Sequence, residues 1–102
     1  MAVLKVTSET FEEEVLQAEV SVLVDFYADW CGPCRMMSPM VEEISEEQPE
    51  IKVCKLNIDE SHDIAELYGV MSIPTFIAFR NGAVKNRILG TKPKSALLAL
   101  VR

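Results

Sequence analysis

Ala28-Asp29-Trp30-Cys31-Gly32-Pro33-Cys34-Arg35 is the stretch on which the reading of this chain turns. Two cysteines stand three positions apart, joined by Gly-Pro and preceded by the only tryptophan. Upstream, Val20-Ser21-Val22-Leu23-Val24-Asp25-Phe26-Tyr27-Ala28 is almost continuous in β-forming residues, as expected for a strand covered on both faces. Downstream, Met37, Met40, Val41 and Ile44 recur at i, i+3, i+4 and i+7, which marks a helix. The pair is therefore placed where a buried strand hands over to a helix, with Cys34 inside the first turn. Helix N-termini carry unpaired N–H groups and a positive dipole end, so a thiolate there is favoured over a thiol.

Working outward from that junction, the remaining segments alternate in the same way. Toward the N-terminus, Val3, Leu4 and Val6 predict a short strand. Thr7 or Ser8 can cap a following helix whose inward face is Phe11, Val15 and Ala18. Toward the C-terminus, the helix after the cysteines, from about Cys34 to Glu47, contains Pro39, which removes a backbone hydrogen bond and should kink it, and ends before Gln48-Pro49. Ile51 to Ile58 predicts a strand with Ile51, Val53 and Lys55 on one face and Cys54, Leu56 and Ile58 on the other. Asp59 or Ser61 can start a helix through Ile64, Leu67 and Tyr68, stopped by Gly69. Ile73 to Arg80 is a strand entered through Pro74, Asn81-Gly82 is a hairpin turn, and Ala83 to Leu89 returns antiparallel. A last helix follows Pro93 and turns Leu97, Leu100 and Val101 inward. This order predicts an α/β fold with a central mixed sheet of five strands and four helices on its two faces.

At 102 residues the chain is expected to form one domain, residues 1–102. Net charge is −6, unevenly placed: residues 1–50 carry twelve acids against two bases, and residues 51–102 carry four acids against eight bases. An acidic chain without a basic stripe is a poor candidate for nucleic acid. Apolar runs are too short to cross a membrane, and Met1-Ala2-Val3-Leu4-Lys5-Val6 lacks the pattern of a secretory signal, so a cytoplasmic location is expected. Three cysteines are too few for a disulfide-stapled scaffold, which leaves the close pair as redox-active or metal-binding. A zinc site needs about four ligands, and beyond this pair only Cys54 and His62 remain. Cys54 lies mid-strand and reads as a core residue, and His62 as a solvated one. Asp25, between Val24 and Phe26 in a buried strand, is desolvated and its pKa should rise.

Taken together, Val24 to Ala28, Trp30 to Cys34, Pro39, Lys55 to Asp59, Ile73-Pro74-Thr75-Phe76, Asn81-Gly82 and Gly90 resemble the thioredoxin family nearly end to end. Tyr27 and Arg35 stand where many members have Trp and Lys, and Thr91 where Ala is common. The resemblance implies the thioredoxin fold and a thiol–disulfide oxidoreductase that reduces protein disulfides. Cys31, ahead of the helix and so expected to be the more exposed sulfur, is implied as the attacking nucleophile. Cys34 is implied as the resolving thiol, leaving a Cys31–Cys34 disulfide. Asp25 is implied as the base that takes the Cys34 proton through water, and Lys55 as the neighbour that tunes it. Pro74 is implied to be cis, covering the disulfide.

Trp30, Gly32, Pro33, Ile73, Pro74 and Gly90 are implied as the surface that docks substrate, which Met71 could extend. The implied partners are disulfide-containing target proteins and a flavin- and NADPH-dependent thioredoxin reductase that supplies the electrons. No bound cofactor or metal is expected, and the chain is expected to be a monomer. Two rivals are an oxidase or isomerase on the same pair, and a non-catalytic binding or structural subunit built on this fold.

Overall fold

The computed structural model describes residues 3–102; Met1 and Ala2, part of the N-terminal stretch read above, lie outside the described residues. Five strands form one sheet in the order β1-β3-β2-β4-β5, from β1 (Leu4–Val6), β2 (Val22–Tyr27), β3 (Lys52–Asn57), β4 (Thr75–Arg80) and β5 (Ala83–Leu89). The near-continuous apolar strand β2 lies at the centre, parallel to β3 on one side and antiparallel to β4 on the other. Helices cover both faces, as a strand apolar on both sides requires.

Alternation along β2 sorts the core. Val22, Val24 and Phe26 face one layer with Cys54, Leu56, Ile77 and Phe79; Val15 closes it from a π-helical segment, Glu12–Leu16, with Phe11 at that segment's N-cap, and Ala65 from α2 (His62–Leu67). Leu23 faces the other layer with Val53, Phe76 and Ala78, covered by α1 (Gly32–Glu47) and α3 (Lys94–Leu100). Asp25 shares the Leu23 face and is therefore carried under α1.

Three details depart from the sequence reading. The first helix is a wide turn, with the Gln17 N–H donating to the Glu12 carbonyl, five residues back. Such a turn brings i, i+4 and i+5 to one side, and Phe11 and Val15 are buried as anticipated. Neither candidate cap serves the helix, whose N-cap is Phe11 without a side-chain bond: Thr7 Oγ1 accepts from the Glu9 N–H at 3.3 Å in the turn before it, and Ser8 is hydrogen-bonded to Asp63 and Ser61 across the fold. In α2 the inward face is Ile64, Ala65 and Tyr68, and Leu67 is exposed. The Asn81-Gly82 hairpin forms as read, with φ of 55° and 79°, and a Cβ at Gly82 would lie 3.0 Å from the Leu16 carbonyl oxygen.

Candidate active site

Helix α1 begins directly after Cys31, which is its N-cap, so Gly32, Pro33 and Cys34 form the first turn. Proline suits this turn because its missing N–H would be unpaired there in any case. The Cys31 Sγ accepts the Cys34 N–H at 3.1 Å, the bond by which a capping side chain satisfies an orphan donor. The same donor, with the dipole behind it, stabilises negative charge on that sulfur. Cys31 and Cys34 are joined as a disulfide with a Cα–Cα separation of 5.3 Å.

The expectation that Cys31 is the more exposed cysteine is not met, since both are 4% exposed. The reason is packing: Ile58, Ile73 and Tyr27 close over Ala28 and the two cysteines. What separates the sulfurs is the opening that each lines. Cys31 borders an outer groove of about 410 Å³, walled by Trp30, Gly32, Pro33, Met71 and Ile73. Cys34 borders an inner cavity of about 200 Å³ with Asp25 and Lys55 from the sheet and Ser38 from α1.

Asp25 is 6% exposed, and its Oδ1 has no hydrogen-bond partner among the described residues. Burial pushes its carboxyl up to about 7, partly offset by the charge of Lys55, its register partner on β3. The Lys55 ammonium lies 5.8 Å from the Tyr27 ring centroid, a cation–π distance that holds it at the cavity wall. Arg35 reaches back to donate to the Asp29 carbonyl oxygen at 2.6 Å.

On the outer side, the Ile73-Pro74 peptide bond is cis and Pro74 is buried. The Pro74 carbonyl accepts the Gly90 N–H at 2.8 Å, and Thr75 Oγ1 donates to the Ser72 carbonyl at 2.6 Å, so the loop is tied on both sides. The Cys31 Sγ lies 4.0 Å from the Ile73 carbonyl oxygen. Gly90 does not itself line the groove; it supports Pro74 from behind. Met71, 95% exposed, does line it.

One positioning residue escaped the sequence reading. Asp59 Oδ2 accepts the indole N–H of Trp30 at 2.8 Å, fixing an otherwise 67% exposed ring beside the cysteines. Asn57 places Asp59 by accepting the Asp59 N–H with its own Oδ1 at 2.9 Å, a side-chain turn at the end of β3. The signal available in sequence was Asn-x-Asp closing a strand, which gives the turn without its distant partner. Cys54 is buried and free, its thiol pushed up to about 11 by desolvation, which makes it inert as a nucleophile. His62 is exposed, and among the described residues no group of three His, Cys, Asp or Glu side chains could hold a metal ion.

A vicinal pair that can cycle between dithiol and disulfide, with one sulfur charge-stabilised and the other beside a buried acid, defines a thiol–disulfide oxidoreductase. Comparison with known proteins agrees. The family model described as Thioredoxin matches residues 2–102. The chain is 54% identical to a thioredoxin of Streptomyces clavuligerus over 91% of its own length and 87% of that protein's. It is 47% identical to thioredoxin 1 of a Nostoc species, covering 94% and 91%, and 45% identical to a thioredoxin of Pseudomonas aeruginosa, covering 97% and 93%. The chain belongs to the thioredoxin family, and it is a protein-disulfide reductase. A purely binding role for this fold is not favoured.

Proposed function

We propose that Cys31 is the attacking nucleophile, Cys34 the resolving thiol and Asp25 the base that serves it. The observation that carries this assignment is the split between the two openings. Cys31, charge-stabilised by the Cys34 N–H, borders the groove that a protein can reach, whereas Cys34 borders the cavity that holds Asp25. In the first step the Cys31 thiolate attacks a target disulfide, forming a mixed disulfide and releasing one target thiolate. Asp25 then takes the Cys34 proton through water, with Lys55 tuning its proton affinity. The Cys34 thiolate attacks the Cys31 sulfur, the Cys31–target bond breaks, and the second target thiolate leaves to be protonated by solvent. Two electrons have moved to the target, and the Cys31–Cys34 disulfide remains. The second attack is fast because it is intramolecular.

Trp30, Gly32, Pro33 and Ile73 form the docking surface, with the buried Pro74 setting the Ile73 backbone from beneath, Gly90 bracing Pro74 and Met71 extending the rim. An extended target pairs with the Ile73 backbone by strand addition, which reads main chain more than side chain and admits many partners. Those partners are disulfide-containing proteins and a flavin- and NADPH-dependent thioredoxin reductase that returns the disulfide to the dithiol. The protein works in the cytoplasm as a monomer and carries no cofactor of its own.

The test is NADPH-coupled reduction of insulin disulfides in the presence of thioredoxin reductase. Cys31→Ser abolishes turnover, and Cys34→Ser accumulates a mixed disulfide with the target, seen by mass spectrometry. Clean product release by Cys34→Ser reverses the two cysteine roles.

A further inference from the structure

Ser38 is among the side chains of the inner cavity that the reaction scheme above does not use. Ser38 lies one turn beyond Cys34 on α1, so the two point to the same side. Its residue is exposed to solvent and at the same time lines the cavity with Asp25, which places its hydroxyl where the cavity meets bulk water. At the cavity's other end is Asp25 Oδ1, buried and without a protein partner. Buried polar atoms are satisfied by protein or by ordered water. A cavity of about 200 Å³ with a carboxylate, an ammonium and a hydroxyl on its walls has the room and the polar groups that water requires.

The lining groups differ in what they can do with a proton. Arg35 and Lys55 only donate hydrogen bonds, and the Asp29 carboxylate only accepts them. The Tyr27 hydroxyl is engaged with Asn57. Ser38 is the lining group left with a hydroxyl that both donates and accepts. We propose that Ser38 is a positioning residue for proton exchange, its hydroxyl holding the outer water of a file that runs from Asp25 past Cys34 to bulk solvent. This rests on Asp25 being the base for Cys34. During resolution the Cys34 proton passes to Asp25 as the new Cys31–Cys34 bond forms and the Cys31–target bond breaks. The Asp25 carboxylic acid then returns its proton to bulk along the file, leaving the carboxylate ready for the next turnover. The groups facing Asp25 are Lys55 from β3, Cys34 and Arg35 from α1, and Tyr27 and Asp29 farther along its own segment; its β4 neighbour, Phe76, is apolar.

The experiment follows resolution of a preformed Cys31 mixed disulfide by stopped flow across pH 5 to 9. It compares the unsubstituted protein with Ser38→Ala, Ser38→Thr and Asp25→Asn. Ser38→Ala slows resolution about two- to tenfold, the worth of one hydrogen bond. It also moves the ionisation limb to higher pH, because water bound to the charged carboxylate is lost. Ser38→Thr, which restores the hydroxyl, restores both. An unchanged rate and limb in Ser38→Ala, with the limb gone in Asp25→Asn, overturns the Ser38 role alone. A slowed Ser38→Ala that Ser38→Thr does not rescue also overturns it. A limb that persists in Asp25→Asn removes the base role of Asp25, and the Ser38 role with it.

Discussion

Asp25 gives the clearest case of a residue whose chemistry costs stability. Its carboxyl, pushed up from 3.8 to about 7, binds its proton more tightly in the folded chain than in the unfolded one. Unfolding therefore releases a proton between those two values, and the folded state loses stability as pH rises through that window. The loss is absent below about pH 4 and complete above about pH 7, where a shift of this size corresponds to roughly 4 kcal/mol. Asp25→Asn is expected to gain stability over the unsubstituted protein by roughly that amount on going from pH 4 to pH 8. Urea unfolding at the two pH values measures it, and a difference that does not change with pH contradicts the buried-charge account. Asp25 was legible in the sequence because a lone acid inside a β-rich run has few other environments available. The Trp30–Asp59 bond was not, because it joins residues that only the closed sheet brings together. Equal burial of the two cysteines also had no local signal, since the cover over Cys31 comes from Ile73, far along the chain.

At the level of elements, strong periodicity and turn chemistry were readable, and the path of weakly patterned segments was not. The central place of β2 could be anticipated from its two apolar faces, whereas the order of the strands around it could not. The π-helical turn could not, because its pattern of Phe11, Val15 and Ala18 fits an α-helix equally well. That turn has a specific cost for the hairpin opposite it. Gly82 is needed both for its φ of 79° and for the Leu16 carbonyl 3.0 Å from where a Cβ would sit. Gly69 has a similar φ of 66° and nothing within 4 Å of the same position. Gly82→Ala is expected to lose more than Gly69→Ala, which bears only the backbone cost of about 1–2 kcal/mol. Melting temperatures report the comparison, each kcal/mol being worth about 4–8 °C in a domain of this size. Equal losses at the two sites would mean that the segment at Leu16 yields freely.

For the whole molecule, both apolar layers are built on the same strands, so loss of β2, β3 or β4 removes the support of both layers at once. We propose that residues 1–102 unfold as one unit. Trp30 fluorescence, which reports the active-site end, and far-UV circular dichroism, which reports the sheet and helices, are expected to give superimposable urea transitions. Separated midpoints would mean that the cysteine end opens on its own. The uneven charge, acidic through residues 1–50 and basic through residues 51–102, was plain in the sequence. It dictates nothing about the fold and acts on encounter with other molecules.

The two sulfurs of the disulfide border different openings, and this has a consequence for traffic through the site. A partner protein large enough to cover the outer groove blocks one doorway only. The doorway past Cys34 has walls of its own and shares no lining residue with the first. The proposed roles of the two cysteines thus assign cargo and protons to separate entrances.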